Sequence, residues 1–515
     1  MTTITSRSIP VIDVFAGPGG LGEGFHQFKT ADSGNPFKIA LSIEKDLFAY
    51  QTLKMRSLFR QFPLNEVPPE YYAAIQSQVP DWNLLEQEFK HQMARVDDEV
   101  WHAELGCLFA TDLNNRIENA IDGAKKWVLI GGPPCQAYST VGRARMSRRR
   151  WHYARDPRHT LYLEYLRILA VHHPAVFVME NVKGILSSKR SGLLIVDRIL
   201  SDLQTPCKAS GRCRDHVSYR IYAVANYEGT SQSLFLEEPG SYMVHAERHG
   251  IPQARHRFIV VGVREDIDAI PELLSEQAPV PMWSVVRDLP PLRSRLSRND
   301  SPDAWAEEIA KMTEIIASTN GFVSSELRAA LLKATTAVRK GLPSGDHFME
   351  ISADPQWKPK WFFDSKLRGV LNHCSRSHIA TDLWRYLYAS VFADAHDRSP
   401  RLREFPTILW PAHKNLKGVS DGEELAFDDR FRVQVKSRPA TTVTSHISKD
   451  GHYFIHPDPR QCRTLTVREA ARLQTFPDNY VFLGPRTAQY QQVGNAVPPL
   501  LALQIARIVK NILAK

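Results

Sequence analysis

The feature that most constrains this chain is a series of short apolar runs, most of them closed by glycine, proline or a carboxylate. They are IPVIDVFAG (9–17), KIALSIEKD (38–46), CLFATDL (107–113), KWVLIGGPP (126–134), PAVFVMENV (174–182) and RFIVVGV (257–263). Helical patterns such as LYLEYLRILAVHH (161–173) lie between them. Continuous apolar strands separated by helices predict a parallel α/β sheet buried on both faces. Such sheets bind ligands at the carboxyl ends of their strands, so the polar residues closing each run become candidates for chemistry.

A chain of 515 residues is too long for one ordinary core, which predicts two or more domains. Hydrophobic content of 43% and charged content of 23% are those of a globular protein. No window approaches the ~20 uninterrupted apolar residues that span a bilayer. Asp13 interrupts the only apolar run near the N-terminus, so no signal core is expected. These features predict a cytoplasmic protein without membrane association. Six cysteines (Cys107, Cys135, Cys207, Cys213, Cys374 and Cys462) show no framework spacing, and free thiols are expected in a reducing compartment. Lys+Arg exceeds Asp+Glu by 65 to 56, a net +9, which suits a polyanionic partner but is shared by many mildly basic proteins.

Residues 47–106 form a polar, amphipathic insertion between the second and third predicted strands. DWNLLEQEFKHQMARV (81–96) within it reads as helical. After Arg264 the pattern changes to Pro-rich turns, an amphipathic helix near 303–318 and basic irregular segments, the marks of a second domain. LTVREAARLQTF (465–476) has apolar positions at helical spacing. The final stretch, NAVPPLLALQIARIVKNIL, is another helix, expected to return to the first domain.

The glycine-rich turn Asp13-Val14-Phe15-Ala16-Gly17-Pro18-Gly19-Gly20 directly follows a strand. Glycines there let the backbone turn tightly and approach a ligand. It is not G-x-G-x-x-G, which disfavours a pyrophosphate ligand. Glu44 closes the second run and could hold ribose hydroxyls, while Asp112 closes the third and could accept from an adenine amino group. A carboxylate in either place is also a common helix cap. The three in order favour an adenosyl ligand.

In GGPPCQAYS (131–139) two glycines and two prolines fix an unusual backbone that presents Cys135 at the end of a strand, where a thiol reads as a nucleophile. The basic run Arg143-Ala144-Arg145-Met146-Ser147-Arg148-Arg149-Arg150 follows it, where a loop gripping backbone phosphates would have to be. Glu180 emerges from the apolar strand AVFVM and reads as a proton donor tuned by desolvation. Arg255 and Arg257 alternate on one strand, placing two guanidiniums on one face to hold a carbonyl or phosphate oxygen. The groups Cys207/Cys213/His216 and His373/Cys374/His378 lack the paired C-x-x-C spacing of a structural zinc site, and no metal is predicted.

In this order the motifs resemble those of the DNA (cytosine-5) methyltransferases, including the cytosine methylases of bacterial restriction-modification and defence systems. DVFAGPGG, GGPPCQAYS, DPRHTLYLEYLR, MENVKG, IPQARHRFIVVG, RPATTVTS, TVREAARLQTFPD and QQVGNAVPP match that family's blocks in their usual order, across residues 11 to about 506. The resemblance implies a Rossmann-like, S-adenosyl-L-methionine-dependent methyltransferase domain with an inserted smaller target-recognition domain. The expected division is a catalytic part at 1–264, target recognition at 265–475 and a C-terminal segment, 476–515, returning to the catalytic domain. DNA is expected between the two.

It further implies that Phe15 stacks on the cofactor adenine while Gly17, Pro18, Gly19 and Gly20 approach its methionine part. Glu44 would bind ribose and Asp112 adenine, with Leu161, Asn495, Ala496 and Val497 completing the pocket. Cys135 would be the nucleophile, Glu180 would contact the Watson–Crick edge of a flipped cytosine, and Arg255 and Arg257 would steady its carbonyl side. Gln136, Ser139, Arg143, Arg145, Arg148 and Arg149 would contact double-stranded DNA. The implied setting is the bacterial cytoplasm, nucleoid-associated through DNA, with cognate restriction or defence proteins as partners. Alternatives are an RNA cytosine-5 methyltransferase, disfavoured by the long recognition region, and a non-catalytic DNA-binding homologue, disfavoured because Cys135, Glu180 and both arginines are present. A nicotinamide-dependent oxidoreductase would want G-x-G-x-x-G.

Overall fold

A computed structural model describes residues 8–30, 34–134, 158–190, 193–211, 216–225, 239–318, 324–338, 341–411 and 428–515. The chain divides into two compact units. The first comprises Met1–Val67, Asp81–Ala278 and Ala496–Lys515, and the second Pro68–Pro80 and Pro279–Asn495. The return to the first unit therefore begins at Ala496 rather than at 476, and the departure follows Ala278 rather than Arg264.

The first unit is built on an eight-stranded sheet. Its strands are β1 (Ile9–Val14), β2 (Phe37–Glu44), β3 (Val100–His102), β4 (Val128–Gly131), β5 (Val176–Val182), β6 (Tyr219–Tyr222), β7 (Met243–His245) and β8 (His256–Arg264). The order is β3-β2-β1-β4-β5-β8-β6, with β7 pairing onto β8. From β3 to β5 every pairing is parallel, whereas β8 runs antiparallel to β5, β6 and β7. The expectation of a parallel sheet is thus corrected at β8. An apolar run carries no direction, and β8 is buried on both faces whichever way it points.

Alternation along the strands fills two layers of core. Ile12, Val14, Leu41, Ile43, Leu129, Phe177 and Met179 pack with Leu113 and Ile117 of α3, Tyr165, Leu166 and Leu169 of α4, and Ile199 and Leu203 of α5. Here α1 denotes Gly20–Gln27, α2 Leu47–Arg60, α3 Ala110–Ile121, α4 Arg158–His172, α5 Ile195–Gln204 and α6 Pro499–Leu513. On the other face α1 lies over Ile39, whose terminal carbon would be 3.7 Å from a Cβ placed on Gly22. Beneath α1 the buried Glu23 is paired with Arg56 of α2 (Nε to Oε2 3.0 Å). Burial pushes the Glu23 carboxyl up, but the charge and hydrogen bonds of Arg56 prevail and hold it at about 2.

CLFATDL is not a strand. Gly106 takes a left-handed turn, Cys107 and Phe109 are exposed, and Ala110 opens α3. The third strand is the short VWH of β3, inside the stretch read as an insertion. The helix expected over 81–96 is broken at Phe89 into Trp82–Glu88 and Lys90–Glu99. Cys207 is disulfide-bonded, which departs from the expectation of free thiols at that position. Cys107, Cys374 and Cys462 are free.

The second unit is organised around helices Pro302–Ser318, Ser325–Thr336 and Ala380–His396, whose Trp305, Ile309, Leu331, Tyr386 and Leu387 form its core. Helix Pro69–Gln76 from the first half of the chain belongs to it. Tyr72 donates its hydroxyl to Asp364 (2.9 Å), and the carbonyl of Ile75 meets His347 (3.0 Å). Helix Val467–Leu473 is buried on every side, not only on an apolar stripe. Arg463 binds Glu469 through two hydrogen bonds of 2.6 and 2.7 Å. Arg472 grips Asp478 at 2.8 and 2.9 Å, and Arg468 donates to the carbonyls of Leu371, Pro477 and Tyr480.

The helical stretch Arg486–Leu513 is long and apolar enough to cross a bilayer, and 72% of its most apolar window is buried within the protein, as in a core helix.

The contact of α1 with α6 yields a test. A Cβ on Gly24 would lie 2.4 Å from the Ala502 side chain and 2.5 Å from the backbone of Leu503 and Pro499. Gly24→Ala is expected to destabilise the first unit by about 1–3 kcal/mol, overpacking outweighing the helix-propensity gain. Urea unfolding followed by circular dichroism checks it.

Candidate active site

The carboxyl ends of β1, β2, β4 and β5 share one edge of the parallel sheet, and the turns leaving them carry the candidate groups. After β1, Phe15 adopts a left-handed backbone (φ 56°), which side chains bearing a Cβ rarely do. Such outliers persist where the surroundings hold them, often at functional sites. The Phe15 ring packs against the core that contains Leu161 and Val14. Gly17 donates its N–H to Oε2 of Glu44 at 2.8 Å, while Oε1 accepts from the N–H groups of Lys45 and Asp46 at 2.9 and 2.8 Å. The carboxylate at the end of β2 therefore fixes the glycine turn after β1. Burial raises the Glu44 carboxyl above its ordinary value against the pull of these N–H donors.

Pro18 and Gly19 are buried in the same turn. Gly20 opens α1, and a Cβ there would lie 2.2 Å from the carbonyl oxygen of Val497. Ala496 and Val497 are thus part of the first unit and buried, with Val497 against the glycine turn. Asn495 is the exposed last residue of a helix in the second unit.

Asp112 is not at a strand end. It is exposed in the first turn of α3, because the strand preceding it is β3 and not CLFATDL. The acidic residue just beyond β3 is Glu104, whose Oε1 meets Lys45 Nζ at 3.0 Å, beside Glu44. Sequence reasoning missed it because β3 is three residues long and lies in a polar stretch.

At β4 and β5 two motifs meet. Gly132 lies against Glu180: a Cβ there would be 2.9 Å from its Oε2, so any side chain would have to displace that carboxylate. The Asn181 amide donates to the carbonyl of Pro133 at 3.0 Å, and its own oxygen accepts the N–H of Val182. The chain leading to Cys135 is therefore held against the end of β5 at Gly132 and Pro133. Cys135, Gln136, Ser139, Arg143, Arg145, Arg148 and Arg149 lie outside the described residues.

Glu180 is not an isolated carboxylate. Arg257 Nε lies 2.8 Å from its Oε1, with both side chains nearly buried. Arg257 stands diagonally across the β5–β8 pair, since Ile259 is opposite Glu180 and Val182 opposite Arg257. Arg255, 1% exposed, precedes β8. Burial, then the charge of Arg257, pushes its guanidinium down while Glu180 pushes it up, so these three charges form one local group.

His373 and His378, in the second unit, are buried with both ring nitrogens bonded. His373 meets Thr466 Oγ1 and the Pro290 carbonyl, and His378 meets Tyr386 and Thr464.

The family model for C-5 cytosine-specific DNA methylases matches residues 110–208 and 238–511. The chain is 33% identical to the type II methyltransferase M.Bpa9945I of Bacillus paralicheniformis over 98% of this chain and 99% of that one. It is 25% identical to the DNA (cytosine-5-)-methyltransferase M.ApeKI of Aeropyrum pernix, over 81% and 88% of the two chains. Among solved structures, one described as a DNA modification methyltransferase encoded within a prophage (E. coli) superposes with a TM-score of 0.50 at 18% identity. It covers 99% of this chain and 100% of that one, a likeness of fold.

A pH effect follows from Asp13, buried near the end of β1 with neither carboxylate oxygen in a hydrogen bond among the described residues. Burial raises its carboxyl from 3.8 to about 7, opposed by the charge of Arg60 and the approach of the Gly22 N–H. Folding therefore takes up a proton between these values, so the stability contributed by the neutral acid is lost as pH rises through about 7. Relative to Asp13→Asn, wild-type stability should fall with pH across this window by up to about 1.4 kcal/mol per pH unit, then level off. Denaturant titrations at several pH values measure the difference.

Proposed function

The chain belongs to the family of C-5 cytosine-specific DNA methylases, and from that premise we propose how it methylates C5 of cytosine in duplex DNA. The observation that carries the reading is the Glu180–Arg257 pair lying beside the Gly132–Pro134 turn that leads into Cys135.

The residues fit an adenosyl donor. Glu44 spends its oxygens on three N–H groups yet retains lone pairs, since a carboxylate accepts at about four sites. It would hold ribose hydroxyls, with Phe15 against the adenine, the backbone of Gly17 to Gly20 at the methionine part, and Leu161, Ala496 and Val497 closing the pocket. S-adenosyl-L-methionine, when bound, supplies the electrophilic methyl group. Glu104 replaces Asp112 as the acid at the third strand.

Cys135 adds as a thiolate to C6 of cytosine, and the ring electrons move to C5, making that carbon nucleophilic. Glu180 keeps a proton on N3 as negative charge develops in the ring. Arg257 orients the Glu180 carboxyl through Nε and stabilises charge near the cytosine carbonyl together with Arg255. Once C5 carries the methyl group, loss of its proton and expulsion of the Cys135 thiolate restore aromaticity. The face of a stacked base is closed to a thiol, so the cytosine must leave the helix, at a cost of a few kcal/mol. Arg143, Arg145, Arg148 and Arg149 grip backbone phosphates, with Gln136 and Ser139 at the flipped nucleotide. Choice of target sequence resides in the second unit. The type II names of the relatives support protection of host DNA within a cytoplasmic restriction-modification system.

Expression of wild type and Cys135→Ala in a host lacking cytosine methylation, followed by bisulfite sequencing, tests the activity and the nucleophile together. A methylated motif is expected with wild type alone; methylation with both would remove Cys135 from the mechanism, and with neither would sink the assignment. Glu44→Ala should raise the KM for S-adenosylmethionine roughly tenfold or more, as loss of charged hydrogen bonds does. DNA affinity measured without the donor should stay unchanged.

A further inference from the structure

Beside the catalytic arginines lies a cluster that the reaction does not use. The antiparallel register of β7 and β8 sets His245 directly opposite His256, with ring centroids 4.0 Å apart. Glu247 follows in the single turn Ala246–Arg248 and points Oε1 at both rings, 2.8 Å from His256 Nε2 and 3.7 Å from His245 Nδ1. One ligand atom from each residue falls within 4.8 Å of the others. The second oxygen, Oε2, is buried without a hydrogen-bond partner among the described residues.

A plain histidine–carboxylate hydrogen bond explains only one of these contacts. It leaves the facing His245 ring and the orphaned oxygen without a purpose. Two imidazoles and a carboxylate at such separations are the ligand set of a borderline-soft divalent ion, whereas hard cations prefer all-oxygen sites. Bonds of ~2.1 Å at tetrahedral angles require ligand atoms about 3.4 Å apart. The two separations from Glu247 Oε1, 2.8 and 3.7 Å, bracket that spacing.

We propose that His245, Glu247 and His256 form a binding site for zinc or a chemically similar divalent transition metal, clipping β7 to β8. The backbone is already set for this role, since Ala246 donates its N–H to the Arg255 carbonyl at 3.1 Å. The clip adjoins the catalytic group because Arg257 Nη1 donates to the His256 carbonyl at 2.8 Å. The metal thus fixes the strand start from which Arg257 reaches Glu180.

The test uses the full chain, stripped with a chelator and titrated with Zn²⁺ by calorimetry, and separately with Co²⁺ by visible absorption. Wild type is expected to bind about one Zn²⁺ per chain and His245→Ala at least roughly tenfold more weakly, since losing even a residue that only hydrogen-bonds a metal ligand costs that much. Glu247→Gln, checked for folding by circular dichroism, should show the same loss. Bound Co²⁺ should give d–d bands without thiolate charge transfer. Equal Zn²⁺ affinity in wild type and both variants, a thiolate band pointing to the cysteines, or no binding by wild type would each overturn the site. The wild-type cobalt spectrum decides the matter even if a variant fails to fold.

Discussion

The register between β5 and β8 is the constraint on which the candidate site depends. With Ile259 opposite Glu180 and Val182 opposite Arg257, the arginine and the glutamate stand as diagonal neighbours on one face, 2.8 Å apart. A slip of one residue would turn Arg257 to the other face and leave Glu180 buried without its counter-charge, at a cost of several kcal/mol. The apolar run FIVVGV guards against that slip, because Phe258 and Val260 belong to the core layer of Phe177 and Met179. Hydrophobic packing in the strand interiors thus sets the position of charges at their ends.

A second dependence runs along the same edge. The turn after β1 is held by a carboxylate from β2, and the turn after β4 by an amide from β5. Each neighbouring strand contributes one polar side chain that fastens its neighbour's loop. The glycines at 17 and 132 make this possible, one by offering its N–H to Glu44 and the other by leaving space for Glu180. Preorganisation of this kind lets a site present groups without rearranging during reaction.

Much of this was legible in the sequence. The apolar runs at 9–17, 38–46, 126–134, 174–182 and 257–263 correspond to strands, because near-continuous apolar residues have few other places to go. Glu44 and Glu180 were readable as strand-terminal acids. Asp112 was not, since CLFATDL has the hydrophobicity of a strand but exposes Phe109, while the true third strand is too short to show a period. The pairing of Arg257 with Glu180 was hidden because strand direction and register are relations between distant segments. In TVREAARLQTFPD the arginines mark a solvent face by pattern alone. Their burial depends on Asp478, which holds Arg472, and on three carbonyls that hold Arg468, partners that no periodicity identifies.

The excursion of residues 68–80 into the second unit has a consequence for engineering. Tyr71, Tyr72 and Ile75 are buried there, and Asp364 takes its hydrogen bonds from both Tyr72 and Asn479. A gene fragment spanning only 279–495 would omit this helix, exposing an apolar seat and leaving Asp364 and His347 short of partners. The second unit is consequently not a cassette. Grafting it between relatives means transplanting two stretches separated by about two hundred residues of scaffold, with splice points near 68, 80, 279 and 495.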